Sequence, residues 1–209
     1  MKTQLEKVAP MDIERRSFEI ITEELPHPID VSLAPVIKRV IHTTADFEYA
    51  DSLCFSPGVL EQALQAIESG ATIVTDTTMA LSGINKRMLA KHGGRVCCFI
   101  ADEDVARAAK KNGTTRSAEA MLKATAIEGP VIFAIGNAPT ALVQLHDMIV
   151  DKKLSPALVI GVPVGFVNVV QAKELIMETE VPYIVARGRK GGSNVAAAIC
   201  NAMLYQITR

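Results

Sequence analysis

The chain has 209 residues, a net charge of −1, 49% hydrophobic residues and only 4% aromatic residues. Those proportions supply enough apolar surface for the core of one domain spanning residues 1–209. The near-zero charge and scarcity of rings argue against a nucleic-acid partner, which draws on basic excess and stacking faces. No run approaches the roughly 18–20 apolar residues of a membrane span, and residues 1–7 lack the apolar centre of a signal peptide. A cytoplasmic protein with no membrane partner is expected.

Pro10 suits a first helical turn, and a helix follows over residues 11–25 with Ile13, Ile20 and Ile21 inward. Arg16 and Ser17 lie three and four residues beyond Ile13, on or beside that apolar stripe, an odd place for solvent-facing residues. Pro26-His27-Pro28 breaks the chain. A second helix over residues 33–43 carries Leu33, Val36, Ile37, Val40 and Ile41 on one face. Ser56 and Pro57 read as the cap and first residue of a third helix.

From Ala71 onward the pattern alternates. Strands are expected near residues 71–76, 95–101, 131–136, 157–162 and 182–187. Helices fall near 79–90, 102–111, 117–127, 138–150, 168–178 and 193–207. Near-continuous apolar strands separated by helices indicate a parallel sheet covered on both faces. The expected architecture is therefore α/β: a flavodoxin-like, doubly wound, five-stranded parallel sheet with extra N-terminal helices. Its strand-ending loops share one edge, where open α/β sheets bind ligands.

The chemistry of those loops is cationic. Arg187-Gly188-Arg189-Lys190-Gly191-Gly192-Ser193 leads into the last helix, where glycines admit close approach and unpaired N–H groups suit an anion. Thr114-Thr115-Arg116-Ser117 is a second cationic helix start, and Asn137 before Pro139 a third N-cap on the same edge. Asp76 ends a strand and could serve as a base, a metal ligand or the cap of the next helix. His42 lies off the apolar stripe near the C-terminal end of its helix, where partial negative charge suits a proton donor. Arg39 shares its face, three residues earlier. Cys54, Cys97, Cys98 and Cys200 lack metal-ligand spacing and read as core thiols, so no metal site is expected. The phosphate-binding patterns Gly-x-x-x-x-Gly-Lys-Ser/Thr and Gly-x-Gly-x-x-Gly are missing, as is the Gly-x-Ser-x-Gly nucleophile turn.

An ordered set of segments resembles the precorrin-8X methylmutase family. The set comprises Arg16-Ser17-Phe18 with Ile20-Ile21, Arg39-Val40-Ile41-His42, Phe55-Ser56-Pro57 and Thr115-Arg116-Ser117. It continues with Ile135-Gly136-Asn137-Ala138-Pro139-Thr140-Ala141-Leu142, Pro163-Val164-Gly165-Phe166-Val167 and Arg187-Gly188-Arg189 with Gly191-Gly192-Ser193. The resemblance implies a homodimeric enzyme that moves a methyl group from C11 to C12 of a corrinoid ring without a redox cofactor. Matched residue by residue, it implies that His42 is catalytic and that Ser17 and Arg39 contact substrate. Arg16, Arg116 and Arg189 follow as further substrate-binding residues, anchoring the ring's carboxylates. Lys190 and Asn194-Val195 depart from the family's usual residues. A corrinoid carrier would use the same anchors, whereas an unrelated phosphate-ligand enzyme would use the Gly191-Gly192-Ser193 helix start and give no role to His42 and Arg39.

Overall fold

A computed structural model describes residues 6–207, and every strand expected from residue 71 onward is present in it. After a 3-10 turn at Pro10–Asp12 come α1 (Ile13–Glu24), α2 (Ala34–Thr44), α3 (Tyr49–Ser52), β1 (Leu53–Phe55) and α4 (Val59–Glu68). Next are β2 (Thr72–Thr75), α5 (Thr78–Gly83), α6 (Lys86–Ala90), β3 (Arg95–Cys97), α7 (Glu103–Asn112) and α8 (Arg116–Ala124). The chain continues through β4 (Val131–Ile135), α9 (Pro139–Val150), β5 (Leu158–Gly161), α10 (Val169–Met177), β6 (Tyr183–Ala186) and α11 (Ser193–Ile207).

The sheet order is β1-β6-β5-β4-β2-β3. Strands β2 to β6 are all parallel, in the flavodoxin-like order, with β2 beside both β3 and β4. Every residue of β2, β4 and β5 is buried, as strands covered on both faces require. The sheet nevertheless has six strands rather than five, and it is mixed. Strand β1 joins the far edge antiparallel to β6, with Leu53 opposite Ala186 and Phe55 opposite Ile184. Three residues are too few to show an alternation, so the sequence pattern passes over it.

Other departures have local causes. Ser56 does not cap α4: its Oγ accepts the Tyr183 N–H at 2.9 Å and its own N–H donates to the Tyr183 carbonyl, extending the β1–β6 pairing. The chain turns into α4 at Gly58, whose φ of +67° suits glycine. The single helix expected over residues 79–90 is two, α5 and α6. Asn201 on α11 bridges the break, accepting from the Asn85 N–H and donating to the Gly83 carbonyl, each at 2.8 Å. Strand β3 stops at Cys97 because its only neighbour is β2, which pairs it over three residues.

The N-terminal helices are part of the main core. Val36, Ile37, Val40 and Ile41 of α2 are buried in the same cluster as Val195, Ala198, Ile199 and Ala202 of α11. Burying each large aliphatic side chain contributes roughly 1.5–3 kcal/mol, so α2 is anchored firmly on α11. That anchoring places the exposed face of α2, with His42, beside the cationic edge of the sheet.

Candidate active site

In a sheet of this order the strands' connections diverge between β2 and β4, and the crevice there is the usual ligand position. Here a side chain of the protein closes it. The Asp76 carboxylate, at the end of β2, accepts N–H bonds from Gly136, Asn137 and Ala138 at 2.9, 2.8 and 2.7 Å. Asp76 thus caps α9, which lies two strands on in sequence, while Thr77 caps the adjacent α5 through the Ala80 N–H. Burial pushes the Asp76 carboxyl above its ordinary range, and the three N–H donors pull the other way. Asn137 does not cap α9 with its side chain. The helix start expected to be an anion anchor is already occupied by an internal carboxyl group.

Functional groups therefore gather to the side of the switch point. On α1 and α2, Phe18 organises the site. The His42 ring stacks on it at 5.4 Å with a 15° interplanar angle, and the Arg39 guanidinium lies 4.7 Å from the same ring. Tyr205 of α11 covers Arg39 at 4.9 Å, and Glu14 pairs with it at 2.7 Å. Arg39 is thus sandwiched between two rings, its side chain 13% exposed. Its charge is balanced by Glu14 before any ligand arrives. His42 is exposed, and no protein group among the described residues bonds its ring nitrogens. A flat, accessible imidazole backed by one aromatic face and flanked by a guanidinium can present an N–H to a second flat molecule.

Ser17 and Arg16 stand differently. Ser17 precedes Phe18 and is half-buried, its hydroxyl donating to the Ile13 carbonyl at 2.9 Å. That hydroxyl keeps its acceptor lone pairs for a ligand. Arg16 points to another side of α1, bonded to Glu6 at 2.9 Å with Glu19 and Glu23 nearby. The structure joins Arg39, His42 and Phe18 directly, and leaves Arg16 in its own acidic network.

The loop between β6 and α11 approaches from the other flank. Lys190 reaches Asp46 and Glu48, just beyond α2, at 2.6 and 2.7 Å. Half-exposed pairs of this kind contribute about 1 kcal/mol or less, but the clip ties the loop to the end of the His42 helix. Arg187 pairs with Glu174 at 3.0 Å. Arg189 has no ion pair among the described residues and lies 5.5 Å over the Phe166 ring. Phe166 and Val167, 82% and 78% exposed, form an apolar shelf beside it. A Cβ on Gly191 would collide with the Val162 carbonyl, so only glycine lets the loop run this close to the end of β5. Arg116 starts α8, exposed and likewise without an ion pair among the described residues. Its neighbour Thr115 bonds Thr140 at the start of α9 at 2.9 Å. Of the predicted arginines, Arg116 and Arg189 are the ones free to meet a carboxylate.

Sequence reasoning missed Lys173. This residue is fully buried on α10, and its Nζ donates to the Gly188 and Lys190 carbonyls at 2.7 and 2.8 Å. It falls four residues after Val169 and three before Ile176, on the buried stripe, and a lysine there was the available signal. Burial lowers its pKa to about 8. The neutral amine still has two protons for two carbonyls. Because the folded pKa lies below the unfolded value of 10.5, the unfolded chain binds more protons between pH 8 and 10.5. Wild-type stability relative to Lys173→Met is therefore expected to rise across that window, by up to about 3 kcal/mol. Denaturant unfolding of both proteins at several pH values checks this, and a flat difference would contradict it.

Among the described residues, no three His, Cys, Asp or Glu side chains gather as metal ligands, and no helix is long and apolar enough to cross a membrane. The fold and the edge chemistry together define a class: an α/β protein with unpaired arginines and a ring-backed imidazole on the carboxyl edge of its sheet, beside a switch point filled by Asp76. Comparison with known proteins narrows it. The Precorrin-8X methylmutase family profile matches residues 12–206. A cobalt-precorrin-8 methylmutase of Salmonella typhimurium is 48% identical, covering 95% of this chain and 96% of that protein. One from Priestia megaterium is 46% identical, covering 94% and 88% respectively. The crystal structure of a precorrin-8x methyl mutase from Thermus thermophilus superposes with a TM-score of 0.84 at 39% identity, covering 93% of this chain and 96% of that one. The chain belongs to the precorrin-8X methylmutase family and is an isomerase.

Proposed function

We propose that this enzyme moves a methyl group from C11 to C12 of cobalt-precorrin-8, yielding a cobyrinate-type product, with His42 as the acid. The observation that carries the role of His42 is its exposed ring, stacked on Phe18 next to Arg39. The apolar shelf of Phe166 and Val167 suits the face of a macrocycle, and Arg189 and Arg116 suit the carboxylates at its rim. Ser17 and Arg39 meet the substrate on the α1–α2 side. Arg16 serves as a more distant contact and would have to exchange an acidic partner for substrate.

In the reaction His42 lends a proton to the conjugated ring. The C11–methyl bond breaks as the C12–methyl bond forms, and the proton then returns to His42. Atoms and electrons balance without an outside reagent, so the chemistry calls for no redox cofactor, and any cobalt belongs to the substrate. A positioned acid contributes about 10²–10⁴-fold in rate, and holding the ring in a reactive geometry supplies much of the remainder. The names of the two relatives from Salmonella typhimurium and Priestia megaterium favour the cobalt-containing substrate. The family resemblance supports a homodimer, and a biosynthetic reaction on a small molecule supports a cytoplasmic setting.

Visible-absorption titration with cobyrinic acid and with its metal-free counterpart tests the site. A saturable spectral shift, stronger with the cobalt form, is expected. Failure of both ligands to bind would overturn the reading.

A further inference from the structure

Three consecutive carbonyls of the loop after β6 are held from within the protein. Lys173 Nζ donates to those of Gly188 and Lys190, and the Gly165 N–H donates to that of Arg189 between them at 3.1 Å. Lys173 has no carboxylate partner among the described residues, and it stands on the buried stripe of α10 with Val169, Ala172 and Ile176. An amine withdrawn from water with only backbone oxygens to bond is costly, and an apolar side chain would pack the same stripe more cheaply. What the lysine adds is a fixed loop backbone.

The residue at the centre of that fixed backbone is Arg189. Arg187 and Lys190 are occupied by Glu174 and by Asp46 and Glu48, so Arg189 is the loop cation left for a ligand. Its guanidinium rests over Phe166. A planar guanidinium with its backbone held and one face covered presents its N–H edge in a narrow range of directions. We infer that Lys173 is a positioning residue for substrate binding: it clamps the backbone on both sides of Arg189, so that the guanidinium meets a corrinoid carboxylate in a set geometry. This role rests on the methylmutase reading given above. It concerns grip on the rim of the ring and leaves the proton chemistry at His42 untouched.

The test is a double-mutant cycle on the purified enzyme, read by absorption titration with cobyrinic acid and by steady-state kinetics. Lys173→Met and Arg189→Ala are each expected to weaken corrinoid binding about tenfold. The double variant is expected to bind within about twofold of Arg189→Ala alone, because Lys173 acts through Arg189. KM rises in Lys173→Met while kcat holds within about twofold, a split that general loss of structure would not produce. Should the methionine variant fail to fold, Lys173→Gln, which keeps a donor for one carbonyl, enters the same cycle. Independent, multiplicative losses in the double variant, or wild-type affinity in the folded Lys173 variant, would overturn the inference alone. Absence of corrinoid binding by the wild-type protein would overturn it together with the function it rests on.

Discussion

Replacing His42 with alanine is expected to lower turnover by about 10²–10⁴-fold while leaving corrinoid affinity within a few-fold of wild type. The ring stands exposed on Phe18 and bonds no other side chain among the described residues, so removing it leaves α2 intact. The inward face of that helix, Val36, Ile37, Val40 and Ile41, is untouched. The proposed contacts of Arg189 and Arg116 with the substrate are expected to survive in the same way. Turnover and titration measured on one preparation separate an enzyme from a carrier. A His42→Ala protein with near-normal turnover would remove the histidine from the mechanism. One that loses turnover and affinity together would make His42 an anchor.

Asp76→Ala is expected to cost at least about 3 kcal/mol of stability, because it strips a shared acceptor from three backbone N–H groups in a buried crevice. The consequence extends to function. Gly136, whose N–H is one of the three, packs so closely on the start of α11 that a Cβ there would lie 2.6 Å from the Ser193 Cα. Loosening the turn after β4 therefore loosens the helix on which α2, and with it His42, is seated. Denaturant unfolding measures the loss. Unchanged stability in Asp76→Ala would mean that water or a rearranged loop satisfies those donors. A fully stable variant that lacked turnover would instead restore Asp76 as a candidate base.

The parallel strands were legible because long apolar runs such as Val131–Ile135 have few alternatives to a buried strand. Periodicity also placed Arg39 and His42 on one helix face, as their shared contact with Phe18 bears out. What the sequence hid are contacts between residues far apart in the chain. Asp76 reads as a local cap, yet it reaches residues 60 to 62 positions away. Lys190 looks like one more substrate cation in a basic loop, but it faces Asp46, 144 positions back, and Glu48 beside it. Ser56 has the profile of an N-cap and bonds a strand 127 residues on. In each case local propensity was satisfied by either partner, and tertiary packing chose the distant one. Lys173 differs, since a lone lysine on an apolar stripe is visible in the sequence and only its target is not.

The most direct test of the central claim is to incubate the purified enzyme with cobalt-precorrin-8 and follow the visible spectrum and the mass together. Moving the methyl off C11 turns that carbon from tetrahedral to trigonal and extends the conjugated system, while the molecular formula stays the same. A new chromophore at unchanged mass is expected, formed by wild-type protein and slowed by about 10²–10⁴-fold in His42→Ala. Saturable binding of the substrate with no change in its chromophore would contradict it.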